Sequence, residues 1–224
     1  MHRTFSCPLW DLKNFLQIKT IASFNGMNQI QRAILETTVS NFEKFVQPVL
    51  PSFSQGILHY DINVKNIVRE QNEGEKCIFG IIDFGDCIHN CHLFELAIAI
   101  HGYVIHTSIA DKDQAVYATA PLVAGYMHAF PLSGDELDCL YYTVLARMCV
   151  TAVATEMNRQ DDPTNGHLCE LVRQSWRAAE AFCKHPKQEM DKIWTDAIKK
   201  PKDYHTNCVS IILYTAGMWH AHSY

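Results

Sequence analysis

The 224-residue chain lacks a basic surplus: 19 Lys and Arg stand against 24 Asp and Glu, for a net charge of −5 and a pI near 6.2. A general nucleic-acid binder carries a basic stripe or a basic balance. The one lysine-rich group, Lys199, Lys200 and Lys202, is short and broken by Pro201. No nucleic-acid partner is expected. Long apolar runs are also missing. The most apolar, Leu93 to Ile105, contains Glu95 and His101 and falls short of the ~20 residues that cross a bilayer. The opening Met1-His2-Arg3-Thr4-Phe5-Ser6 has no apolar signal-like core. The nine cysteines are odd in number and scattered, which reads as reduced thiols. No membrane partner and a cytoplasmic location follow as expectations. The densest cluster, Cys87-Ile88-His89-Asn90-Cys91-His92, lacks the paired spacing of a structural zinc site. Repeats and low-complexity stretches are absent as well, and 48% hydrophobic with 19% charged residues is ordinary globular composition.

What is present reads as α+β and mainly helical. Residues 1 to 26 are irregular, with one helical turn near Trp10 to Phe15. From Asn28 a helix is expected, with Ile30, Ile34, Phe42, Phe45, Val46 and Val49 on one apolar face and Pro51 at its end. Gly56 to Leu58, Ile67-Val68 and Cys77 to Ile82 are short strand-like runs. Helices are expected over Phe94–Thr107, over Asp113–Phe130 with a break or kink at Pro121, and from a capping box at Ser133 and Glu136 to about Asn158. Leu168–Cys183 and Glu189–Lys199 complete the set. Residues 1–200 read as one unit with its chemical core at 57–95. Residues 201–224, with an apolar patch at Val209 to Tyr214, form a tail of uncertain structure.

The chemistry concentrates in two neighbouring stretches. One is His59-Tyr60-Asp61-Ile62-Asn63-Val64-Lys65-Asn66, of the form H-x-D-x-x-x-x-N. The other is Ile81-Ile82-Asp83-Phe84-Gly85-Asp86, which contains D-F-G. Each half is a weak signal, but in this order, about 17 residues apart and each beside an apolar strand, they are specific to phosphoryl transfer. That reaction needs positioning and charge neutralisation more than covalent catalysis. Asp61 is the candidate catalytic base, facing an acceptor hydroxyl. Asn66 and Asp83 are the candidate ligands of Mg²⁺, which takes hard oxygen donors and few of them from protein. Val68 and Ile82 are the candidate apolar floor for the purine. His59 suits a structural role, bonded to backbone near the metal loop.

These stretches resemble the aminoglycoside phosphotransferase and choline kinase family, whose usual form is H-G-D-x-x-x-x-N followed by I-D-F-G-D. Further matching stretches are Trp10-Asp11-Leu12-Lys13-Asn14, Phe94 to Ile100, Ala124-Gly125-Tyr126 and Phe130-Pro131-Leu132. The resemblance covers most of residues 8 to about 185 and is looser after Arg159. It implies the C-terminal lobe of a protein-kinase-like fold. It also implies transfer of the γ-phosphate of GTP or ATP, with Mg²⁺, to a small-molecule hydroxyl, that of 5-hydroxy-L-lysine. Tyr60 stands where the family usually has Gly; it is expected to fit the fold, with altered access to the site as an open alternative.

One family feature is missing. No Gly-rich loop and no strand bearing a phosphate-contacting Lys precede Asp61. The N-terminal lobe is therefore expected to be absent, the upper surface apolar and exposed, and activity of this chain alone weak. An inactive kinase-like regulatory or binding module is the alternative. Two further residues are singled out. Arg147, inside an apolar helix, either contacts a substrate carboxylate or pairs with Glu95 or Asp86. Asp86 either supports the metal or meets an ammonium of the substrate. Glu95 is expected to be a structural hydrogen-bond partner. The oligomeric state is not legible.

Overall fold

The structure, a computed structural model, describes residues 8–21, 26–70, 78–107 and 110–200. Among these, strands are confined to two antiparallel two-stranded ladders. Strand β1 (Gln55–Leu58) pairs with β4 (Ile88–Cys91), setting Ile57 opposite His89; β2 (Ile67–Glu70) pairs with β3 (Ile78–Ile81), setting Ile67 opposite Ile81. Ladders this small are marginal alone and need a covering surface. Helix α3 (His92–His106), which packs against β1 and β4, supplies it. It is apolar nearly all round and correspondingly buried.

The other helices are α1 (Ile18–Ile21), α2 (Gln29–Asn41), α4 (Lys112–Tyr117), α5 (Ala120–Ala129), α6 (Gly134–Asp161), α7 (Gly166–Cys183) and α8 (Lys187–Lys199). Helix α6 is the axis of the molecule and touches α2, α3, α7, α8 and the two short 3-10 turns Pro8–Trp10 and Leu12–Gln17. By length and composition α6 could cross a membrane, but 83% of its most apolar window is buried inside the fold, so its apolar residues serve the core. Its start is the expected capping box. Ser133 Oγ accepts the Glu136 N–H, and the Glu136 carboxylate accepts the Ser133 N–H at 2.8 Å. The same carboxylate accepts Ser54 N–H and O–H, at 2.9 and 2.6 Å, and so ties α6 to the entry of β1.

One expectation is corrected. The helix after Asn28 has Ile34, Phe42 and Val46 buried, but Ile30 and Phe45 are exposed. After Asn41 it widens into a π-turn (Phe42–Val46), where Gln47 N–H reaches back five residues to Phe42 O. That extra residue turns Phe45 outward, where it stacks on Tyr142 at 4.9 Å. Of the break or kink expected at Pro121, the structure shows the break. Pro121 sits in the first turn of α5, where its missing N–H costs nothing, and α4 ends before it. Strand β4 lies inside the Cys87 to His92 stretch considered for zinc; Asn90 and Cys91 are buried in it, and His92 stacks on Phe130 at 4.0 Å. The 201–224 tail falls entirely outside the described residues.

Candidate active site

The loop that leaves β1 at Leu58 makes a left-handed turn. Tyr60 has φ 67° and Asp83 φ 64°, the only positive-φ non-glycine residues among those described. Such strain persists only where the surroundings impose it. At Tyr60 the cause is visible. The Glu95 carboxylate on α3 accepts the backbone N–H groups of His59 and Tyr60 at 3.0 and 2.9 Å. Burial, opposed by these two bonds, pushes Glu95 up to about 7. Glu95 thus has the structural role expected of it. The Tyr60 ring points into the core. Its hydroxyl accepts Leu12 N–H at 2.9 Å and an amide N–H of Asn90 at 3.3 Å. Tyr60 thus fits the fold, as expected, with its ring turned into the core and away from the site surface.

The loop then brings the first two site residues together. Asn66 Nδ2 donates to Asp61 Oδ2 at 3.0 Å and to the Asp61 carbonyl at 2.9 Å. With its N–H₂ committed, Asn66 Oδ1 has no hydrogen bond among the described residues. Asp61 is half-buried, and burial raises its carboxyl above the ordinary value against the opposing pull of Arg147 and Asn66. The D-F-G stretch is tied alongside. Ile82 N–H donates to Asn66 O at 3.0 Å. His59 Nδ1 accepts Asp61 N–H at 3.3 Å, which leaves His59 Nε2 to donate to Ile82 O at 2.9 Å. His59 is a strut between the two stretches. Asp83, exposed, follows at the end of β3, with Oδ1 just 3.4 Å from where a Cβ on Gly85 would sit.

The donor set suits Mg²⁺. One amide oxygen and one exposed carboxylate are hard ligands, and no group of three or more His, Cys, Asp or Glu converges among the described residues. A cation that draws its remaining ligands from water and phosphate needs no more. Val68 and Ile82 are 45% and 46% exposed beside these groups, as a floor for a ring would be.

Behind Asp61 lies a cavity of about 240 Å³, lined among others by Trp10, Asp61, Asn66, His101 and Arg147. Asp83, Asp86, Val68 and Ile82 do not line it, so the candidate residues divide between an outer face and an inner cavity. Arg147 makes no ion pair with Glu95 or Asp86: no carboxylate among the described residues lies within 4.0 Å of it. Its guanidinium instead lies 5.0 Å over the Trp10 ring, with a long 3.5 Å contact from Nη1 to Trp10 O. Burial lowers its affinity for the proton, and the nearby Tyr60, Asp61, Asp86 and Glu95 restore part of it. His101 and Trp10 were given no site role by sequence reasoning. The signal for His101 was a polar residue in an otherwise apolar run.

Comparison with known proteins agrees with the geometry. The chain is 28% identical over 193 residues to hydroxylysine kinase of Xenopus laevis, covering 83% of this chain and 50% of that protein. Its curated relatives are hydroxylysine kinases. That of Danio rerio is 28% identical over 188 residues, and that of Mus musculus 24% over 197, covering 83% and 85% of this chain. The chain spans about half the length of the hydroxylysine kinases it matches. No family model matches, and no solved structure does.

Proposed function

We propose that this chain is the catalytic, C-terminal lobe of a small-molecule kinase that moves the γ-phosphate of GTP or ATP to a hydroxyl, that of 5-hydroxy-L-lysine. The observation that carries the reading is the bonded pair of Asp61 and Asn66, strapped through His59 and Ile82 to the D-F-G stretch. Asp61 accepts a hydrogen bond from the acceptor hydroxyl and takes its proton as the new P–O bond forms and the bond to the β-phosphate breaks. Its raised proton affinity favours that role. Asn66 Oδ1 and Asp83 would hold Mg²⁺, which would supply neutralising charge to the phosphates. Asp86, outside the inner cavity, adds negative charge on the metal side. Val68 and Ile82 support the base of the nucleotide.

The names of the relatives support the acceptor, and the intact Asp61, Asn66 and Asp83 geometry disfavours an inactive module. Mass spectrometry of 5-hydroxy-L-lysine incubated with the chain, Mg²⁺ and GTP or ATP tests the reading. Slow appearance of the phosphorylated amino acid is expected. Complete absence of product at stoichiometric protein contradicts it.

A further inference from the structure

We propose that Arg147 and the cavity behind Asp61 recognise a free carboxylate on the acceptor, so that the substrate must carry both a hydroxyl and a carboxylate. This rests on the kinase reading above and names the feature of the acceptor that the site selects.

The guanidinium of Arg147 is an anomaly in the core. Only 6% of the residue is exposed, and it lies in the middle of α6. A charge taken out of water without a partner is among the most costly features a fold carries. Yet among the described residues Arg147 Nε has no hydrogen-bond partner, and no carboxylate comes within ion-pair distance. The same holds at a second atom on the same cavity. His101 is 7% exposed, and its Nε2 is buried with no partner. Two orphaned buried polar groups on one cavity wall mark a place that a ligand completes.

The shape of the orphaned edge says what kind of ligand. Nη1 leans toward Trp10 O, and the Trp10 ring lies against the guanidinium. Nη2, which makes no hydrogen bond among the described residues, is left as a charged N–H donor that suits a carboxylate oxygen. His101 is held neutral by burial and by the neighbouring Arg147, so it adds a hydrogen bond rather than a second charge. Size narrows the class further. At about 240 Å³ the cavity lies below the ~300–1,000 Å³ typical of sites for drug-sized ligands and suits an acceptor of amino-acid size. Asp61 stands on the same wall, so one small molecule can present its hydroxyl to Asp61 and its carboxylate to Arg147.

Calorimetric binding of 5-hydroxy-L-lysine and of its carboxamide to the chain tests this without requiring turnover. The free acid is expected to bind at least about tenfold more tightly, as loss of a charge-assisted pair implies. Arg147→Lys, which keeps the charge but loses the fork, should bring the ratio close to one. Equal binding of acid and amide by the unaltered chain, or binding of neither, overturns the proposal. Phosphorylation of the amide as efficiently as the acid also sinks it while leaving the kinase reading intact. Selective binding of the acid with no phosphoryl transfer to either keeps the carboxylate site and removes the kinase reading.

Discussion

At the scale of single residues, the site is held by groups that never touch substrate. Glu95 shows this best. Its carboxylate holds Tyr60 in a left-handed turn by accepting two backbone N–H groups from inside the core. Its folded-state pKa is raised from 4.5 to about 7. Between those values the folded protein binds more protons than the unfolded chain, so this group's contribution to stability falls as pH rises from 4.5 to 7, by an amount on the order of a few kcal/mol. Chemical denaturation at pH 5 and pH 8 should show the loss. Glu95→Gln should remove most of that pH dependence while lowering stability by ~1–3 kcal/mol, because its NH₂ faces a backbone N–H that needs an acceptor. An unchanged pH dependence in the variant contradicts the assignment. At Tyr60 the side chain contributes buried ring surface and an acceptor for Leu12 N–H, which glycine could not, and these offset its strained backbone.

At the scale of elements, α3 sets the position of the catalytic loop. Gly102 on α3 lies under that loop. A Cβ there would sit 2.8 Å from Asn63 Cβ and 3.0 Å from Ile62 O. Gly102→Ala should therefore displace the loop and lower kcat by about 10²-fold, as a 1 Å misplacement does, with helix propensity offsetting part of the stability loss. Unaltered kcat would show that the contact does not position the loop. Elements also show what was legible in sequence. The meeting of Asp61 and Asn66 was readable because the H-x-D-x-x-x-x-N spacing places both in one short loop. The Ser133 and Glu136 cap was readable for the same reason: both halves of the motif lie within one turn. Arg147 stood out as a charge in an apolar helix, but its partner did not, since Trp10 is 137 residues away in the chain. Strand β4 was hidden because its pairing with β1 spans 30 or more positions. The outward turn of Phe45 depends on a π-turn that no side-chain pattern announces.

At the scale of the whole molecule, an α-helical body supports a small β-framed site whose outer side carries exposed apolar residues among those described. Ile57, Val68, Ile82 and Phe84 are exposed there. A nucleotide resting on Val68 and Ile82 would keep its phosphates wet, where electrostatic interactions are weak. Calorimetry with Mg²⁺ and GTP or ATP is expected to give a Kd of about 1 mM or weaker for this chain, roughly 4 kcal/mol of binding free energy; micromolar binding would contradict this expectation. The most direct measurement for the assignment as a whole is phosphoryl transfer to 5-hydroxy-L-lysine by the chain with and without Asp61→Asn. The substitution should leave the folded structure and its melting temperature nearly unchanged while lowering transfer about 10²–10⁴-fold, the usual share of a positioned general base. Transfer at the same rate in both proteins would contradict the role of Asp61, and with it the reading of the site as a kinase centre.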